Sequence, residues 1–280
     1  MKFGASSFIW VSPFSNKTLD QFQKAKAMGF DIYEVCVEQP EVIDGPSIAK
    51  AAKEAGIQVT VCGAFGPTRD ISSEDPAIRA EGVDYIKFMT DLAAEIGSPF
   101  VAGPMYSAVG KARMTTPKEK ADQTKWALEN MHVVAEYAAK KNVKLAVEPL
   151  NRFETDFINT VDQGVEFLDQ LGMSNVGFLI DTFHANIEEP SIPDAVRKAG
   201  KRLISFHSCA NNRGTPGKDH IDWKGIKKAF DEIGYDGPVI IESFTTDIVE
   251  IAKAVSLWRP LAKSQDILAQ EGINFLKTVF

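Results

Sequence analysis

Val143-Lys144-Leu145-Ala146-Val147-Glu148 is a short apolar run that stops on a carboxylate. Three later runs follow the same pattern. Val176-Gly177-Phe178-Leu179-Ile180 stops at Asp181, Leu203-Ile204-Ser205-Phe206 at His207, and Val239-Ile240-Ile241 at Glu242. Successive stops lie roughly 30 residues apart, about one strand-plus-helix unit. In a barrel of parallel strands, all four ends would converge on one mouth, where barrel enzymes keep their chemistry. A doubly wound open sheet would not naturally bring the ends of four successive strands to one point. The expected fold is therefore α/β, a single (β/α)8 TIM-barrel domain over residues 1–280.

Working outward, strands and helices alternate along the whole chain, the pattern of a parallel sheet. Strands are expected at Phe3–Ser6, Ile32–Val37, Gln58–Cys62 and Phe100–Ala102. Helices are expected at Leu19–Met28 before Gly29, Ser47–Ala55, from Asp75-Pro76 to Ile96 before Gly97, and from Pro117 to near Lys141. Proline favours the first helical position and glycine the position past the end. Each of the four ligand-bearing strands is trailed by a helix: Val161–Leu171, Ile192–Ala199, Trp223–Ile233 and Ile248–Leu257. A last helix, Ser264–Val279, closes the bottom or packs outside. That makes eight strand-helix pairs.

Composition narrows the class. Apolar residues make up 44% and charged residues 25%, ordinary for a globular chain. Net charge is −7, and no basic run is present, which disfavours a nucleic-acid partner because that affinity comes from Lys and Arg on phosphates. Cys36, Cys62 and Cys209 are widely spaced, odd in number and free of CxxC spacing, so they read as reduced thiols. The first ten residues, Met1 to Trp10, resemble a secretory signal only superficially. Ser6, Ser7 and Pro13 break the apolar stretch, and no cleavage pattern follows. No segment approaches the roughly 18 apolar residues of a membrane helix. No membrane partner is expected, and the expected location is cytoplasmic.

Three carboxylates and an imidazole sharing one pocket are costly unless a cation pairs them. Glu148, Asp181, His207 and Glu242 are thus the candidate metal ligands. Any one alone would be a capping or surface residue; the signal is four successive strands ending alike. The mostly oxygen donor set suits a hard or borderline divalent ion with open positions, such as Mn²⁺, Mg²⁺ or Co²⁺, with Mn²⁺ the expected cofactor, and a structural zinc would more readily recruit cysteine. Glu154, His184 and Arg213 lie three to six residues beyond a ligand on the mouth side and are the candidate substrate contacts. Arg152, Glu188 and Glu189 read as ion pairs or helix-start charges, His132 as structural and His220 as solvated. Trp10, Phe14, Phe65, Tyr106 and Phe244 fit either the pocket wall or the core.

The segments Glu148-Pro149-Leu150-Asn151-Arg152-Phe153-Glu154, Asp181-Thr182-Phe183-His184-Ala185-Asn186-Ile187-Glu188-Glu189 and Ile233-Gly234-Tyr235-Asp236-Gly237-Pro238 resemble the ketose 3-epimerases. That group includes the D-tagatose, D-allulose (D-psicose) and L-ribulose 3-epimerases of the xylose-isomerase-like barrel superfamily. The likeness covers nearly the whole chain. It implies that Glu148, Asp181, His207 and Glu242 bind the metal and that Glu148 and Glu242 are also the acid/base pair. It implies substrate contacts at Glu154, His184 and Arg213, a small ketose as substrate, and a homodimer or homotetramer. The chain departs from the family at Cys209 and Ala210, where several members have Gly-Glu, and at Ser6, where some have an aromatic. These departures bear on the preferred sugar rather than on the metal.

The expected activity is C3 epimerisation of a free ketohexose or ketopentose, of the D-allulose/D-fructose or D-tagatose/D-sorbose type, through an enediolate. The rivals are an aldose-ketose, hydroxypyruvate or inosose-type isomerase of the same superfamily, a non-catalytic sugar-binding barrel, and an abasic-site endonuclease. The last needs a His-rich multi-metal cluster, and the chain has only four histidines. No Walker-type or GxGxxG phosphate loop is present, and Gly214-Thr215-Pro216-Gly217-Lys218 reads as a turn.

Overall fold

The apolar runs are strands in a computed structural model that describes residues 1–280. They are β1 (Lys2–Ser6), β2 (Ile32–Val37), β3 (Gln58–Gly63), β4 (Phe100–Gly103), β5 (Lys144–Val147), β6 (Val176–Asp181), β7 (Leu203–Ser208) and β8 (Pro238–Ile241). Each pairs in parallel with its neighbour in sequence, and β8 returns to β1, so the sheet closes on itself. Strands covered on both faces need no polar alternation. β2 and β6 are accordingly buried along their whole length.

The helices are α1 (Gln21–Ala27), α2 (Gly45–Ala55), α3 (Pro76–Ile96), α4 (Pro117–Lys140), α5 (Val161–Leu171), α6 (Thr182–Glu188), α7 (Ile192–Ala199), α8 (Trp223–Ile233), α9 (Val249–Ala254) and α10 (Gln265–Val279). Their ends follow local chemistry. Thr116 and Thr160 form capping boxes with Glu119 and Gln163, satisfying otherwise orphaned N–H groups. Asp75 caps α3 ahead of Pro76, and Gly97 ends it in a left-handed conformation. One continuous core of 62 buried residues joins the strands to the helix ring.

Two details depart from the sequence reading. The run directly after Asp181, to which the sequence reading gave no element, folds into α6, capped by Asp181 itself. The expected helix over Ile248–Leu257 shrinks to α9, and its buried Ile251 joins a small cluster with Phe8 and Phe244. α10 instead takes the outer-layer place beside β8 and β1, next to α8. Its apolar face (Leu268, Ala269, Ile273, Leu276) is fully buried, and that face outweighs chain order.

At Gly177 the barrel wall is tight. A Cβ there would lie 2.1 Å from the carbonyl oxygen of Arg202, beside the register shift between β6 and β7. The three cysteines are free and buried. No helix is long and apolar enough to cross a membrane.

Candidate metal centre and active site

The candidate ligand residues sit where the ladder carries them. The Glu148 N–H donates to the Gly103 carbonyl at 3.2 Å and that of Glu242 to Ser208 at 3.3 Å, extending β5 and β8 by one residue. Asp181 and His207 are direct register partners across β6 and β7. The result is a cluster in which one donor atom from each of Glu148, Asp181, His207 and Glu242 lies within 4.8 Å of the others. All four residues are buried, none more than 6% exposed.

Asp181 divides its carboxylate between two tasks. Oδ1 accepts from the N–H groups of Phe183 (2.7 Å) and His184 (3.0 Å), which caps α6. Oδ2 faces the cluster and accepts from Arg213 Nη1 at 3.1 Å. The same Nη1 reaches Glu242 Oε2 at 2.6 Å, while Nη2 lies 2.9 Å from His184 Nε2. Arg213 is aimed by its own backbone, held at φ 69 with its carbonyl accepting from Ser243 Oγ at 2.7 Å. The rings of Phe183 and Phe244 flank its guanidinium at 4.4 and 5.1 Å.

His184 is fixed from the other side. Its Nδ1 accepts from the backbone N–H of Asn151 at 3.1 Å, and the Asn151 amide donates to Glu154 Oε1 at 2.9 Å. Its Nε2 lies 3.8 Å from Glu148 Oε1. Burial, and then the Arg213 charge, hold this imidazole well below its usual range, so it is neutral.

The two glutamates stand in unlike environments. Burial, and then the negative charge of Glu242, push Glu148 well above the ordinary carboxylate range. Glu242 also feels burial, but His207 and Arg213 outweigh it and bring it down to about 2. Such a split is the pattern of an acid and a base sharing one site. Burial also raises Asp181.

These residues fit a divalent cation. Three carboxyl groups and one imidazole form a hard-to-borderline donor set. His207 Nδ1 is fully buried without a hydrogen-bond partner and faces Glu242 Oε1 at 3.5 Å. A buried ring nitrogen that faces carboxylates and makes no hydrogen bond suits a ligand atom.

The seven site residues expected from sequence thus lie in one connected set, with Glu154 at its rim through Asn151. The aromatic candidates divide. Phe244 packs on Arg213, whereas Phe14 and Phe65 belong to the core. The Tyr106 hydroxyl donates to the Ile158 carbonyl, and Trp10 binds Asp266 of α10 away from the cluster. Arg152 pairs with Glu188 through two 3.0 Å contacts, and Glu189 accepts from the N–H of Val161, as their charges suggested. His132 is an exposed helix residue 3.4 Å from Glu136, and exposed His220 lies 2.9 Å from Asn186.

Sequence reasoning passed over Glu34, which is fully buried on β2 with its Oε1 2.7 Å from His207 Nε2. The ring N–H lies off the line to that oxygen, so the contact is one of distance without alignment. The available signal was a single acid in an otherwise apolar strand, Ile32-Tyr33-Glu34-Val35-Cys36-Val37. A cavity of about 760 Å³ opens at the opposite end between Lys2, Gln58, Pro99 and Pro238. It contains none of these groups and lies on the face that barrels use for stability rather than chemistry.

Residues 22–279 match the family model described as the xylose isomerase-like TIM barrel. A probable ketose 3-epimerase from Synechocystis is 34% identical over 280 residues, spanning 100% of this chain and 97% of the relative. The chain belongs to the ketose 3-epimerase family. Within that family, a D-psicose 3-epimerase from Agrobacterium fabrum is 34% identical, with 95% of this chain and 93% of the relative covered. The crystal structure of D-psicose 3-epimerase with D-tagatose from Clostridium cellulolyticum superposes with a TM-score of 0.92 at 30% identity, covering 100% of this chain and 99% of that one. As a family member, the chain is an enzyme, an isomerase of the carbohydrate epimerase type.

Proposed function

We propose that the chain epimerises a free ketohexose or ketopentose at C3, using a divalent cation and the glutamates Glu148 and Glu242. The observation that carries this reading is the placement of two glutamates from separate strands in one buried cluster, at the ends of β5 and β8. Inverting a carbon beside a ketone requires a proton to leave one face and another to arrive on the opposite face. Two carboxyl groups reaching the substrate from separate strands can serve the two faces in turn.

Glu148, Asp181, His207 and Glu242 would hold the cation, Mn²⁺ by preference. Bound there, it supplies electrostatic stabilisation of the negative charge that develops along C2 and C3. The remaining steps belong to side chains. One glutamate removes the C3 proton to leave an enediolate, and the other returns a proton from the far side; their roles exchange with the direction of reaction. Arg213 and neutral His184 orient the oxygens of the sugar beside the glutamates, and Glu154 contacts it at the rim. The buried polar wall excludes bulk water from the transient carbanion.

The relatives named for D-psicose, L-ribulose and generic ketoses support a substrate of this class. The buried free thiols support a reducing, cytoplasmic setting, and a homodimer or homotetramer is proposed on the family resemblance alone. The test is product analysis with Mn²⁺ on D-fructose, D-allulose, D-tagatose, D-sorbose, L-ribulose and L-xylulose in D₂O. The expected result is C3-inverted product carrying deuterium at C3. An aldose product would assign an isomerase instead.

A further inference from the structure

The second carboxyl group touching His207 belongs to no step above. Glu34 lies on β2, across the barrel from β7, at 0% exposure. Its Oε2 accepts from Thr60 Oγ1 of β3 at 3.3 Å, and its Oε1 lies 2.7 Å from His207 Nε2. Apart from each other, Oε1 and Nε2 have no polar partner within reach, and both are fully enclosed. Leaving either unpaired costs about 1–3 kcal/mol. The imidazole is thus held between two acids, with Nε2 toward Glu34 and Nδ1 toward Glu242 and the ligand cluster.

We infer that Glu34 is the positioning residue of the metal centre: its Oε1, held 2.7 Å from His207 Nε2, favours the ring proton on that nitrogen and so leaves the Nδ1 lone pair to the cation. A neutral imidazole carries one ring proton, and a carboxyl oxygen fixed beside Nε2 decides where it resides. Metal-bound histidines depend on such a partner for ring orientation and basicity. Thr60 braces the far oxygen, so Glu34 is itself held. The other half of the barrel thereby reaches the ligands without supplying one. This inference rests on the metal reading of Glu148, Asp181, His207 and Glu242.

The experiment measures Mn²⁺ binding by titration calorimetry on the metal-stripped full chain, with no sugar present. Glu34→Ala is expected to bind Mn²⁺ about 10- to 100-fold more weakly than wild type. Glu34→Gln keeps an oxygen that can accept the Nε2–H, and it should recover part of that loss. Equal Mn²⁺ affinity in wild type and folded Glu34→Ala would overturn the assignment. Since Glu34→Ala opens a hole beside a buried ring, a second measurement uses the wild-type chain alone. ¹⁵N spectra of its histidines with diamagnetic Mg²⁺ bound should show His207 protonated at Nε2 and bare at Nδ1, and the opposite tautomer would equally overturn it. The outcomes separate the two readings. Wild type without any affinity for Mn²⁺ defeats the metal centre and this inference together. Mn²⁺ binding without sugar turnover defeats only the proposed reaction.

Discussion

The barrel divides into two unequal halves. β5 to β8 each end on a residue of the ligand cluster, whereas β1 to β4 contribute none. What the first half sends inward is Ser6, Glu34, Cys36, Thr60 and Cys62, all buried and hydrogen-bonded or packed among themselves. Ser6 Oγ lies 3.2 Å from Cys36 Sγ, and Glu34, Cys36 and Cys62 form their own compact group. A symmetric scaffold therefore carries an asymmetric site. The second half supplies charge, and the first half supplies the wall and the brace against which that charge is set.

The sharpest way to break this division is to remove a proton carrier from the second half. Glu148→Gln and Glu242→Gln should each lower kcat about 10²- to 10⁴-fold, the contribution typical of a positioned acid or base. The check is initial-rate assay on D-fructose with Mn²⁺, with folding followed by circular dichroism. Turnover near wild type in either variant would remove that residue from the reaction.

Metal removal should be nearly as severe. Stripping with EDTA should abolish turnover, and Mn²⁺ or Co²⁺ should restore it. Mn²⁺ should also stabilise the fold by about 2.7 kcal/mol at a hundred times its Kd. The sign with pH follows from Glu148. Its folded pKa is raised, so the metal-free chain loses stability as pH climbs from the ordinary glutamate range through that raised value. Cation binding requires the ionised ligands and so relieves this loss. The Mn²⁺-induced rise in Tm should therefore be larger at alkaline than at mildly acidic pH, as calorimetry would show.

Arg213→Lys tests the bridge between the ligands and the substrate contacts. Lysine cannot span Asp181, Glu242 and His184 at once. A charged hydrogen bond is worth about 1.5–3 kcal/mol, so kcat/KM should fall about ten- to a hundredfold. Cys62→Ala makes the complementary test in the first half. It should leave Mn²⁺ affinity unchanged, as titration calorimetry would show. A loss of Mn²⁺ binding in that variant would contradict the division. Smallest of all, Arg152→Ala removes an exposed partner of Glu188 and should leave the urea unfolding midpoint nearly unchanged.

Much of this was legible in the chain because the signals are local. A strand that ends on Asp181 or Glu242 announces itself within six residues, and α3 is bounded by Asp75, Pro76 and Gly97 in plain view. Glu34 was not legible in the same way. Its partner His207 lies across the barrel, and no periodicity along β2 reports what faces it there. α6 was hidden for a different reason: Asp181 serves at once as cap and cluster member, and either role alone explains its residue type. The exchange between α9 and α10 turned on which apolar face fits against β8 and β1, a question of shape rather than sequence.

Ring closure through β8 and β1 has one more consequence. Glu242, the last cluster member in the chain, joins the others only when the final strand zips between β7 and the first one made. During synthesis from the amino terminus, no partial product can assemble the complete grip on the ion. On the proposed metal reading, capture of the ion would report finished assembly, and a truncated or misclosed ring should fail to hold manganese through gel filtration.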